Sequence, residues 1–301
     1  MAAADAGVFC EDTSAAVSAF QTDRGLHSTG CCDEHTWKAL VEATWKLGDR
    51  LLLLTSPNLR GDDVAGLQAT LGRLGFDCGR VDGIFGPRTS RALIDFQSNC
   101  GVEADGVCGL ETIRTLVRVS AHTGSGPGVA SVREHDLLLH RTPTLAALDV
   151  VVGQFGGLGT ITRAVSRALR RAGAGVLSLD EPDVTVQAEA ANRFGADAYV
   201  GLEAGGGSAT RTVVHYYRVP EFASFGGKTL ATTLTRALRE AGLELADPCG
   251  MRLPILRETR MPAVLCLVAP VRTAVDATTR VSESIVAALQ DWAETPALTV
   301  D

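Results

Sequence analysis

The chain has 301 residues, is 46% hydrophobic and 21% charged, and carries a net charge of −7, which suits a globular protein of two or three domains. The acidic sign argues against nucleic acid or an anionic membrane as the main partner, because both select basic surfaces. No run of about 18 apolar residues is present to span a bilayer, and MAAADAGVFCEDTS lacks the basic start and apolar core of a secretion signal.

The first third repeats itself. Gly7 to Val41 lies over Gly83 to Val117 without a gap, so that Phe9, Thr13, Phe20, Gln21, Gly30 and Cys32 fall on Phe85, Thr89, Phe96, Gln97, Gly106 and Cys108. Such a register marks duplicated supersecondary units. In the second copy Val64, Leu67, Leu71 and Leu74 recur at helical spacing over Asp62–Phe76, with Asp62 or Asp63 placed to cap the start and Gly75-Phe76 to end it. Asp82-Gly83 and Gly86-Pro87 predict a tight turn, Thr89–Asn99 a second helix, Asp105-Gly106 another turn and Leu110–Val119 a third helix. The first copy has no counterpart of the first helix, so Met1 is read as a late start, and a half-module would expose Val17 and Phe20.

AHTGSGPGVAS after Val119 reads as a linker. Strands then alternate with helices. Asp149–Val152, Val176–Leu179, Ala198–Leu202, Thr212–Tyr217 and Ala263–Val268 are predicted strands, and Thr160–Ala172, Val186–Phe194, Lys228–Ala241 and Val281–Ala293 predicted helices. That alternation predicts an α/β domain with a mostly parallel sheet. The chain is therefore read as multidomain: a partial all-α repeat over 1–46, a complete three-helix one over 47–120, a linker over 121–144 and an α/β domain over 145–295.

The eight cysteines do not form a framework. Cys31 and Cys32 are adjacent, Cys32 and Cys108 take equivalent positions expected to be small core residues, and Cys266 sits in AVLCLVAP. They read as reduced thiols of a cytoplasmic protein, with Cys100 and Cys108 the pair to check for a bridge. No CxxC spacing signals a zinc ribbon.

LQATLGRLGFDCGRVDGIFGPRTSRALIDFQSNCGVEADGVCGLETIRTL resembles the peptidoglycan-binding domain of bacterial cell-wall hydrolases, a three-helix module. The motif positions are Asp82, Gly83, Phe85, Gly86, Thr89, Phe96, Gln97, Asp105, Gly106 and Thr112. The α/β half, through AEAANRFGADAYVGLEA and ILRETRMPAVLCLV, resembles the zinc-dependent N-acetylmuramoyl-L-alanine amidases. Those enzymes use histidine, glutamate and histidine on zinc and a late glutamate as general base. Here Phe155 and Glu203 fall on the histidine positions, Leu267 falls on the catalytic glutamate, and the segment carrying the ligand glutamate is deleted between Gly157 and Thr160. The resemblance therefore implies lost zinc and no catalytic residue, since such hydrolysis needs three ligands, an open position and a base.

WKLGDRLL, GDDVAGLQATL, DGVCGLETIRTL and LRETRMP, in that order, resemble the CwlM-like group of actinobacterial proteins. That resemblance implies a cytoplasmic regulator that activates the precursor enzyme MurA once a membrane Ser/Thr kinase has phosphorylated it. Thr295 and Thr299 are the only threonines in the tail. The alternatives are a peptidoglycan-binding protein, with an export signal upstream of Met1 if it is wall-associated, and a cell-wall amidase. Other features stay open at this level. His215 on a strand is a structural histidine or a ligand, and Gly205-Gly206-Gly207 and Gln154–Gly159 are phosphate cradles or flexible turns. Arg257 and Arg260 either grip an anion or form surface salt bridges. Ser166, Ser178 and Ser208 lie in no nucleophile motif.

Overall fold

The computed structural model describes residues 7–121, 126–206 and 209–295. The chain divides into two compact units, Met1–Gly128 and Val129–Asp301.

In the first unit, α1 (Glu11–Asp23) and α2 (Glu34–Ala43) form the first copy, and α3 (Asp62–Arg73), α4 (Pro87–Cys100) and α5 (Leu110–Ser120) the second. The second copy closes on Leu52, Leu67, Leu71, Phe85, Phe96 and Leu116, all fully buried, with Phe76 edge-on to Phe96 at 5.5 Å. Three expectations are corrected here. Gly61, not an aspartate, is the N-cap of α3. Asp63 is buried instead in an ion pair with Arg50 at 2.7 Å, whose guanidinium also lies 4.3 Å from the Trp45 ring centroid. Val17 and Phe20 are half-buried rather than exposed, Phe20 under the Arg24 guanidinium; the exposed large apolar residues among the described residues of this copy are Val8, Phe9, Trp37 and Val41. Cys108 is a core residue but Cys32 is exposed. The reason is cover: Cys108 is held in an antiparallel bridge to Leu52, and Cys32 has no such bridge among the described residues.

The expected linker over 121–144 contains α6 (Val129–His140), which belongs to the second unit. Glu134 explains why. Its carboxylate accepts from Ser224 Oγ at 2.6 Å and from the Phe225 N–H at 2.9 Å, so it caps the start of α9 (Phe225–Glu240) and satisfies donors that a helix N-terminus leaves free. The other elements of this unit are β1 (Asp149–Phe155), α7 (Gly159–Arg171), β2 (Gly175–Leu179), α8 (Val184–Phe194), β3 (Ala198–Ala204), β4 (Val213–Val219), β5 (Phe222–Ala223), β6 (Cys249–Met251), α10 (Pro254–Glu258), β7 (Ala263–Val268), α11 (Val271–Asp276) and α12 (Thr278–Glu294).

Among the described residues the strands lie in the order β2-β1-β3-β7-β4-β5, with β6 on β4. Neighbours from β2 to β7 are parallel and β4 runs antiparallel to β7. One face, carrying Val150, Val152, Val200, Val264 and Cys266, packs with apolar residues of α7, α9 and α12 in one core. The other face lies under α8 and α10. There Gly153 and Gly201 are register partners. A Cβ on Gly153 would fall 1.9 Å from Gln187 Oε1 and 2.3 Å from Tyr199 Oη, so glycine makes the room in which Tyr199 donates to Gln187.

Candidate functional site

In the first unit the motif residues turn inward. Gln97, on α4, is 1% exposed and works as a hub. Its amide nitrogen donates to Asp105 Oδ1 at 2.9 Å, Val107 O at 3.1 Å and Thr112 Oγ1 at 3.2 Å, and its oxygen accepts the Gly106 N–H at 2.9 Å. Gln68 repeats this with Asp82, Ile84 and Thr89 as acceptors and Gly83 as donor. Gln21 repeats it again with Thr29, Cys31, Thr36 and Gly30. The turn glycines sit at φ +70°, +72° and +70° for Gly83, Gly106 and Gly30, where a Cβ is disfavoured. A buried amide with every bond made fixes each helix–turn–helix corner. Phe85 and Phe96 are fully buried, and Gly86 and Pro87 open α4. The motif is thus the frame of the module. The hub role of these glutamines and its threefold recurrence escaped the sequence reading, because a buried glutamine has the same letter as a solvated one.

Asp105 is the exposed part of its hub. The Val107 N–H and then the Gln97 amide hold its carboxyl below the usual aspartate value.

In the second unit Phe155, Glu203 and Leu267, the residues singled out by the amidase resemblance, come together at the C-terminal ends of β1, β3 and β7. Phe155 is the register partner of Glu203, and Glu203 of Leu267; β4 extends the row with Val213 opposite Leu267. All four are half-buried. The row is a carboxylate between apolar neighbours. One step deeper, burial and then the charge of Glu203 push the Tyr199 phenol up. Among the described residues no three His, Cys, Asp or Glu side chains group to hold a metal ion, and the donors in this row do not fit catalytic zinc.

The loops around the row are tied. Gln154 accepts the Leu158 N–H at 2.8 Å and donates to Asp180, which makes Gln154–Gly159 a strapped turn. Gly205 donates to Val268 O at 2.9 Å; Gly207 and Ser208 lie outside the described residues. His215 is buried on β4, between Leu265 and Cys249. Asn192 clamps the Arg257–Arg260 segment, donating to Glu258 O and accepting the Arg260 N–H, both at 2.8 Å. Arg257 is half-buried at the end of α10 and Arg260 is exposed beside it. Ser166 is buried and Ser178 exposed on β2. Cys100 and Cys108 are free thiols, as are the six other cysteines. Thr295 follows α12, and Thr299 lies outside the described residues. No helix among the described residues is long and apolar enough to cross a membrane.

Residues 2–40 and 60–116 match a putative peptidoglycan binding domain. The spore cortex-lytic enzyme of Oceanobacillus iheyensis is 48% identical over 60 residues, 20% of this chain and 22% of its own. Among solved structures, the amidase Ami1 of Mycobacterium smegmatis aligns at TM-score 0.43 and 15% identity, covering 49% of this chain and 97% of its own. The N-acetylmuramoyl-L-alanine amidase CwlM of Mycobacterium tuberculosis is 35% identical over 283 residues, 83% of this chain and 68% of that protein. With a helical peptidoglycan-binding region ahead of an amidase-like α/β unit, and that identity over most of its length, the chain belongs to the CwlM family of amidase-like, peptidoglycan-binding proteins.

Proposed function

We propose that this chain is a non-catalytic member of its family, a cytoplasmic regulator or scaffold of peptidoglycan precursor synthesis that activates a MurA-type enolpyruvyl transferase. One observation carries the reading: the row Phe155–Glu203–Leu267 presents a single carboxylate where metal-assisted hydrolysis needs a ligand set and a base. Leu267 has no atom that takes a proton from water, and Phe155 offers no lone pair. A protein partner needs only a folded surface and no ligand set. A membrane Ser/Thr kinase acting on the tail belongs to the same proposal, because a phosphate adds about −1.5 to −2 charges and a docking group for arginine. A second reading, direct binding of peptidoglycan or its precursors, is favoured by the match of residues 2–40 and 60–116 to the peptidoglycan-binding family.

Metal content measured by mass spectrometry, on protein purified without chelator and with zinc added as a control, tests the first reading. It predicts no stoichiometric zinc, no cleavage of muropeptides, and faster turnover of the enolpyruvyl transferase when phosphorylated protein is added. One zinc per chain together with muropeptide cleavage overturns it. Retention on wall sacculi without any effect on the transferase selects the second reading.

A further inference from the structure

The sheet has an open side at β2, the terminal strand of the order among the described residues. Gly175 donates its N–H to Leu148 O at 3.0 Å, so the backbone groups of Gly175, Leu177 and Leu179 face β1. Those of Val176 and Ser178 face away, because polar groups alternate sides along a strand. The Val176 carbonyl is met from outside by Arg170 Nη2 at 3.0 Å, and Ser178 is exposed. An unpaired edge is a template for another strand unless it is blunted. Among the described residues, the exposed side chain of Arg170 is what meets this outward edge.

The charges around this edge are ordered. Arg170 and Arg171 lead into β2, and Asp180, Glu181 and Asp183 follow it, in the string RRAGAGVLSLDEPD. Arg170, Arg171, Asp180 and Asp183 are exposed and Glu181 is half-buried. Gln154 donates to one oxygen of Asp180, and a carboxylate retains acceptor capacity beyond that bond.

We propose that β2 is a self-complementary edge at which two copies of this chain pair antiparallel about a two-fold axis near Ser178. In that arrangement Val176 of one copy lies opposite Asp180 of the other. The Val176 carbonyl exchanges Arg170 for a ladder N–H, and Arg170 and Arg171 turn to the Asp180–Glu181 carboxylates of the second copy. The same contacts form twice, as an isologous interface requires. A uniformly acidic or basic strand from another protein would satisfy one end of β2 and repel the other. A parallel copy would set like charges side by side. Only the antiparallel copy satisfies both ends.

The test is sedimentation velocity on the full chain over about 1–200 µM, at low and high salt. The wild type is expected to dimerise, with the dimer weakened at high salt because exposed pairs are screened. R170E/R171E and D180R/E181R are each expected to weaken self-association about tenfold or more. An equimolar mixture of the two variants is expected to recover the dimer, since each supplies the charges the other lacks. Ser178→Pro removes an outward N–H without touching the β1 ladder, and is expected to give a monomer with an unchanged circular dichroism spectrum. A wild type that stays monomeric throughout overturns the proposal. So does a dimer that survives both charge swaps and Ser178→Pro, or a mixture that fails to re-associate.

Discussion

At the scale of single residues, the first unit is organised by polar atoms rather than by apolar bulk. Gln21, Gln68 and Gln97 are each 1% exposed, and each amide meets both of its turn and the threonine of the next helix. Burying an amide without partners costs about 1–3 kcal/mol, so these positions tolerate only a group that makes the same bonds. Asp105 extends the third hub to the surface and responds to pH. Its folded pKa is depressed, so its contribution is present in full above the unfolded value of about 3.9 and is lost as pH falls through the lower folded value. Urea midpoints measured from pH 6 to pH 2.5 should therefore show wild type more stable than Asp105→Asn at the upper end. The gap should close toward the lower end. A gap that is constant with pH would mean that the carboxylate charge plays no part in the hub.

At the scale of elements, the informative contact is the one glycine makes possible. Gly153 on β1 leaves the space in which Tyr199 of β3 and Gln187 of α8 bond, and Gln187 in turn donates to Glu181 O at 2.6 Å. Gly153→Ala places a methyl group within 2.3 Å of both polar groups. It is expected to lower unfolding free energy by about 2–5 kcal/mol, from overpacking and from parting a buried pair. Adding Tyr199→Phe should recover part of that loss, because the hydroxyl is one of the two clashing atoms; chemical denaturation of both variants measures it, and a double variant no better than the single would remove the clash as the cause. Elements of this kind were only partly legible in the sequence. The strand–helix alternation after Asp149 was plain from β-branched runs, and so was the largely parallel sheet. The helix α6 was hidden beside a glycine–serine stretch, because its worth comes from Glu134 reaching α9 and not from an apolar stripe. Short β5, β6 and α10 lack enough length for any period to show. That Phe155, Glu203 and Leu267 stand side by side follows from the β1-β3-β7 order, which the sequence does not spell out, and the tied turns around them depend on Gln154 and Asn192, whose partners are distant in sequence.

At the scale of the whole molecule, stability is distributed unevenly along the chain. Among the described residues 7–46, Ala39 is the only buried apolar side chain, and the remaining buried side chains there, Gln21, Thr36 and Glu42, are polar. The second copy closes eleven buried apolar residues into one cluster, and the α/β unit has a larger one. Hydrophobic burial contributes about 25 cal/mol per Å², so the hub of Gln21 carries a share of local order in the first copy that packing carries in the second. A hydrogen-bonded corner with little apolar cover opens at low free-energy cost. The links that remain include bonds within the copy, such as Ser14 Oγ to Gly30 O at 3.0 Å, and the Arg24–Asp62 pair at 2.5 Å between the two copies, with both side chains partly exposed; pairs that exposed contribute about 0–1 kcal/mol. Native-state hydrogen exchange should accordingly find the amides of α1 and α2 exchanging before those of α3, α4 and α5, although the copies share one motif. Equal protection in the two copies would show that something beyond the described contacts holds the first. Uneven protection would make the first copy the part of the molecule most easily reordered by a partner, at a cost far below that of opening the sheet.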